Sequence, residues 1–190
     1  MSNKKLVVIF TIIAAIFIGC SEQTSVVDPI QDDSDSWLKM PAKGSLAVET
    51  IYLVEKEIVG SSGGVVQLQV QYPGGPFGDV KINAEITFPP GAFQGTKNIG
   101  MVFDDEYVLT SFSPSANFDL PATFNLTVEG LNLDGVDVSE LKFVYDNPAG
   151  EDVEMASSGI EINYGSGLLK VNNAVIPHFC KFGVKRGTSD

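Results

Sequence analysis

Val66-Gln67-Leu68-Gln69-Val70-Gln71-Tyr72 and Val80-Lys81-Ile82-Asn83-Ala84-Glu85-Ile86-Thr87-Phe88 each alternate apolar and polar residues without a break. Successive side chains of a strand leave opposite faces of the pleat, so a period of two predicts strands with one dry and one wet face. Working outward, Phe124, Leu126 and Val128 repeat the pattern around Asn125, Thr127 and Glu129, and Ile160 and Ile162 repeat it around Glu161 and Asn163. Turn chemistry separates such runs at Gly63-Gly64, Pro73-Gly74-Gly75-Pro76, Pro89-Pro90-Gly91, Asn147-Pro148, Gly165-Ser166-Gly167 and Asn172-Asn173. No stretch has the spacing of a long helix. About nine short strands from Val48 onward predict an all-β fold, an antiparallel β-sandwich with its edges near the chain termini.

The N-terminus has a different character. Lys4 and Lys5 precede an uncharged, mostly apolar run of fourteen residues, Leu6 to Gly19, closed by Phe17-Ile18-Gly19-Cys20. The run is too short for a membrane span, which needs about 20 apolar residues, and has the layout of an export signal. It resembles a bacterial lipoprotein signal, although Phe17 stands where an aliphatic residue is usual. The resemblance implies cleavage after residue 19 and lipidation of Cys20. The alternatives are a plain secretory signal with a chance cysteine, or an uncleaved anchor. Ser21 is not the Asp that favours inner-membrane retention in some bacteria, so the expected location is the cell envelope, lipid-anchored at the outer membrane on its periplasmic or surface face.

Residues 20–47 have a tether's composition, with Glu22, Asp28, Asp32, Asp33 and Asp35 acidic and Pro29 and Pro41 breaking structure. Trp37 and Leu38 interrupt it and are expected to dock its end onto the domain. The sandwich is assigned to residues 48–190. Losing Lys4 and Lys5 with the signal takes the net charge from -12 to -14. So acidic a chain repels phosphate backbones and anionic lipid, which excludes nucleic acid as a partner and leaves membrane attachment to the lipid on Cys20. Cys20 and Cys180 are the two cysteines. If the first carries lipid, no disulfide forms within the chain and Cys180 stays a thiol.

Other motifs fall to structural readings. Gly60-Ser61-Ser62-Gly63-Gly64 spells the G-x-S-x-G of serine hydrolases. That elbow needs a strand, a turn and then a helix, whereas a strand follows here. The acidic clusters Asp104-Asp105-Glu106 and Asn132, Asp134, Asp137 lack the closing Glu of a twelve-residue calcium loop, so solvated loop charge is expected. One His and one unlipidated Cys do not make a typical zinc site. No metal or other cofactor is expected.

Several elements together resemble the ZU-five domain of zonula occludens and Unc-five proteins, found also in ankyrins and the death-domain protein PIDD. They are Gly63-Gly64 before a strand, Phe88-Pro89-Pro90-Gly91-Ala92 ending another, Phe112-x-Pro114 followed by Phe118-x-x-Pro121, and the terminal His178-Phe179-Cys180. The resemblance covers Val59 to Val184 and implies a sandwich; Pro89-Pro90 ends the ladder of the strand before it and Gly91 permits a turn, so Ala92 and Phe93 are expected to return to the core. It also raises a chemical expectation, because His-hydrophobic-Ser sites in PIDD and in unrelated domains cut themselves. Carried over, His178 would be the general base, the bond from Phe179 to Cys180 scissile and the Cys180 thiol the nucleophile. The competing expectation puts His178, Cys180, Phe182 and Val184 on one face of the last strand, with Cys180 a small core residue.

The expected function is that of an envelope-anchored lipoprotein presenting an interaction or structural module, with an envelope protein or a polysaccharide as partner and no metabolic catalysis. Self-processing between Phe179 and Cys180 is the alternative. A hydrolase using two carboxylates such as Asp104 and Glu154 comes last.

Overall fold

The alternating runs all lie in one sheet. A computed structural model describes residues 36–43, 52–147 and 151–187, so Cys20 and the signal lie outside the described residues. The strands are β1 (Tyr52–Val59), β2 (Gly64–Gly75), β3 (Gly78–Phe88), β4 (Thr96–Phe103), β5 (Leu109–Ser113) and β6 (Asn117–Glu129). They continue as β7 (Leu141–Asp146), β8 (Asp152–Glu154), β9 (Gly159–Asn163), β10 (Leu168–His178) and β11 (Lys181–Arg186). A one-turn 3-10 helix, Val138–Glu140, begins at Asp137, whose carboxylate accepts the Ser139 N–H. The Ser139 hydroxyl, which also donates to it, and then that N–H hold the carboxyl below its ordinary value.

All pairings are antiparallel, and they make two sheets: six strands in the order β1-β4-β5-β11-β7-β8 and five in the order β2-β3-β6-β10-β9. The β-sandwich expected from the sequence is the fold. Val66, Leu68, Val80, Ile82, Ala84, Ile86 and Phe88 are buried, while Gln67, Gln69, Gln71, Lys81 and Asn83 are exposed. Rings from both sheets interlock at the centre, with Phe124 stacked on Phe143 and edge-on to Phe112 at centroid distances of 5.8 and 5.4 Å. Aromatic pairs in these arrangements add to the gain from burial itself.

Three expectations about layout change. The edge strands are β1, β8, β2 and β9, whereas the last strand, β11, is central in its sheet between β5 and β7. Asn172-Asn173 is no turn: β10 runs through it with a register shift between Val171 and Ala174, and Asn173 bulges at φ 49°. The bulge is held because the Asn173 N–H donates to Asn125 Oδ1 at 2.9 Å.

The third change concerns the tether. Leu38 is fully buried and Met40 nearly so, and Leu38 is bonded on both sides, its N–H donating to Val184 O and its O accepting from Val108 N–H. The docking expected of Trp37 and Leu38 is therefore present, and it reaches further, to Lys43. The domain's packing includes Trp37 to Lys43, N-terminal to the boundary expected at residue 47. Trp37 lies over the outer side of β11, its ring centre 4.4 Å from Lys185 Nζ, which also pairs with Asp152 at 2.8 Å. Gly183 makes room for that ring: a Cβ there would sit 2.8 Å from the indole and 2.7 Å from Val108 O. At the other end Lys43 Nζ pairs with Asp105 at 3.0 Å and sits 4.6 Å from the Tyr52 ring centre, and the Tyr72 hydroxyl donates to Pro41 O at 3.2 Å.

Candidate functional site

His178 ends β10 and Lys181 begins β11, so Phe179 and Cys180 form the link by which the chain leaves the five-stranded sheet and enters the six-stranded one. The His-Phe-Cys motif is thus not inside a continuous last strand. Crossing between sheets breaks the period of two, and the residue that turns inward is Phe179, not Cys180. Pro177, which has no N–H to donate, lies within the register shift between Ile176 and His178.

The corner is held from both sheets. The Phe179 N–H donates to Ala116 O at 2.8 Å, and Cys180 O accepts from the Phe112 N–H at 3.0 Å. The Phe179 ring is buried, edge-on to Phe118 at 4.7 Å and Phe88 at 5.7 Å, and stacked on Phe112 at 5.6 Å. Phe88-Pro89-Pro90-Gly91-Ala92 closes the same cluster from below: Gly91 N–H donates to Gly60 O, and Ala92 and Phe93 are buried, as the Pro-Pro-Gly turn leads one to expect.

His178 and Cys180 are half-buried, and with Ser115, Asn117 and Tyr145 they line an open depression of about 350 Å³. The imidazole meets the Tyr145 ring edge-on at 4.5 Å and tilts against Phe182 at 5.8 Å. The two groups needed for the expected self-cleavage, a base and a thiol, therefore share one wet depression. Cys180 also packs against the core's margin, and it forms no disulfide among the described residues. The positive-φ non-glycine residue of the described chain is Asn173, not a member of this motif.

The remaining candidates are engaged in architecture. Gly60 to Gly64 is a tight turn between β1 and β2, with Ser62 and Gly63 N–H groups both donating to Val59 O. Asp104 Oδ1 accepts the N–H groups of Glu106 and Tyr107 and fixes the turn before β5, while Asp105 holds Lys43. Asn132 Oδ1 accepts from the Asp134 N–H. Glu154 pairs across the strands with Lys142 at 3.5 Å on β8, which lies three places from β5 in its sheet, about 14 Å at the usual strand spacing. Asp104 and Glu154 are thus separated by the sheet instead of facing one cleft. Among the described residues no group of three or more His, Cys, Asp and Glu is placed to hold a metal ion. Nor is any described helix long and apolar enough to cross a membrane.

Sequence reasoning missed the core role of Phe179 and the reach of the docked segment as far as Lys43. A signal for the second was present in the apolar spacing of Leu38 and Met40 next to Pro41. Comparison with protein-family models, with curated proteins and with solved structures found no match to this chain.

Proposed function

We propose that the chain is a lipoprotein of the bacterial envelope, acylated on Cys20 and delivered to the outer membrane, whose ZU-five-like sandwich serves as an interaction module and performs no metabolic catalysis. The observation that carries this reading is the stitching of Trp37 to Lys43 into the sandwich. A chain that leaves a fixed point on the domain and runs toward a lipidated cysteine holds one side of the domain toward the membrane and presents the rest. The partner is a protein or polysaccharide of the envelope. Labelling with a clickable palmitate in the native host tests the anchor: the wild-type chain takes the label and Cys20→Ser does not. Equal labelling of both would overturn lipidation at Cys20.

A second reading is favoured by the shared depression of His178 and Cys180. The Cys180 sulfur would attack the Phe179 carbonyl carbon, passing its proton to His178. The carbon–nitrogen bond then breaks, the proton goes to the leaving Cys180 amine, and water hydrolyses the thioester to a Phe179 carboxylate and a regenerated thiol. Both ends of a cut chain would stay hydrogen-bonded in their own sheets, so cleavage would show only after denaturation. Mass measured on the denatured protein decides between the readings: a fragment beginning at Cys180 that is absent from Cys180→Ala establishes self-processing, and an unbroken chain removes it.

A further inference from the structure

The outer face of the five-stranded sheet carries a different surface from the rest of this acidic chain. Register places Gln69, Asn83, Thr127, Lys170 and Glu161 in one row across all five strands. Gln71, Lys81 and Glu129 form the next row. Gln67, Glu85 and Asn125 form the row on the other side. Planar amides are frequent here, and each carries two donors and an acceptor in fixed geometry. They are also held in place: Gln67 Nε2 donates to Asn83 Oδ1 at 3.0 Å and Gln71 Nε2 to Asp79 Oδ2 at 2.6 Å.

Two open depressions lie along this face, of about 320 and 510 Å³, and they share Gln71, Lys81 and Glu129. They adjoin along that row, and together this trough reaches from the middle of the face to the tip of the β2–β3 hairpin. At that tip Phe77 is 51% exposed and its ring lies by Gly167, where an added Cβ would come within 2.9 Å of it. A ring with about half its surface in water beside a row of amides offers a flat apolar platform next to hydrogen-bonding groups.

Charge selects the occupant. The whole chain carries -12, yet Lys81 is matched by Glu129 at 3.8 Å, and Lys170 stands opposite Glu161, which also accepts from Asn172 Nδ2 at 2.9 Å. A polyanion meets the repulsion of the chain as a whole, and a cation meets Lys81 and Lys170 standing among the carboxylates Glu85, Glu129 and Glu161. A protein partner would need an apolar centre to bury, and the trough's middle is amide, hydroxyl and paired charge. A neutral polyol fits all three features, because its hydroxyls replace water at the amides and its apolar ring face lies on Phe77.

We propose that this trough binds a neutral polysaccharide, with Phe77 stacking on a sugar ring and Gln69, Gln71 and Asn83 hydrogen-bonding its hydroxyls. The inference rests on the interaction-module reading and names the partner class. It is tested with the full-length protein in mild detergent, by affinity electrophoresis through gels of neutral glucan, mannan, xylan or galactan, with polygalacturonate and heparin as anionic controls. Retardation by at least one neutral polymer and by neither polyanion is expected. Phe77→Ala should weaken it tenfold or more, Asn83→Ala several-fold, and Phe77→Trp should retain it. Passage unretarded through every neutral gel, retardation by the polyanions alone, or retardation unchanged in both alanine variants would overturn the proposal. So would an envelope protein photo-crosslinked through position 77, or a free monosaccharide binding as tightly as the polymer. An envelope protein crosslinked elsewhere on a sandwich that binds no neutral polymer would end this inference and leave the module reading standing.

Discussion

Phe179 and Cys180 are neighbours with opposite fates, and the difference follows from where the chain crosses between sheets. Phe179 meets Phe88, Phe112 and Phe118 at the centre of the barrier between the sheets, whereas Cys180 sits half-buried at its margin. Phe179→Ala is expected to cost about 3–5 kcal/mol of unfolding free energy, and Cys180→Ala less than about 1 kcal/mol. Chemical denaturation of the two variants checks this, and similar losses in both would show that the thiol has the core role assigned to the ring. Thr110 supplies a second case. Its hydroxyl is the buried side-chain polar atom among the described residues that finds no hydrogen-bond partner. Thr110→Val keeps the shape and removes the unmet group, so a gain of about 1 kcal/mol is expected, read as a Tm rise of about 2–4 °C.

Elements differ in how much of them the sequence shows. β2, β3 and the second half of β6 are legible because one face packs on the core and the other meets water, so the pattern in the letters is the pattern in space. β11 is not legible that way: Phe182, Gly183, Val184 and Lys185 are all buried, since Trp37 covers the outer side while Phe182 and Val184 face the core. A cover supplied from residues far away in sequence erases the local period. The candidate site was legible in its residue types and not in its placement, because nothing local to His178-Phe179-Cys180 says that the strand ends there. The docked segment also carries a titration. Burial pushes the Tyr72 phenol up to about 12, aided by Tyr52 and Asp105. Lys43 is drawn down by burial, but its bonds to Asp105 and Tyr52 outweigh this and hold it above 10.5. Both groups are held in their protonated forms by the fold, so the unfolded chain gives up these protons first. Stability should be level to about pH 10 and fall between there and pH 12, by up to about 2 kcal/mol for Tyr72. Thermal melts across this range check it, with Tyr72→Phe expected to flatten the fall in part.

At the scale of the molecule, the docked segment and the sandwich form one body. Leu38 and Met40 belong to the same buried cluster as Phe88, Phe124 and Phe182, so no boundary of packing separates the docked segment from the sandwich. Leu38 also supplies backbone bonds to Val184 and Val108 at the centre of the six-stranded sheet, and those groups would be left unmet in a dry place if the segment withdrew. A docked segment that was merely adherent could be trimmed at small cost. One built into the core could not. Leu38→Ala is expected to cost about 2–5 kcal/mol, which for a chain of this size lowers Tm by about 5–15 °C in a single transition of the whole domain. Calorimetry on the full chain distinguishes the cases: a separate low-temperature transition with the main one unmoved would show that the segment docks independently. A lowered single transition would show that the segment unfolds together with the middle of the sheet that contains β11, and not ahead of it.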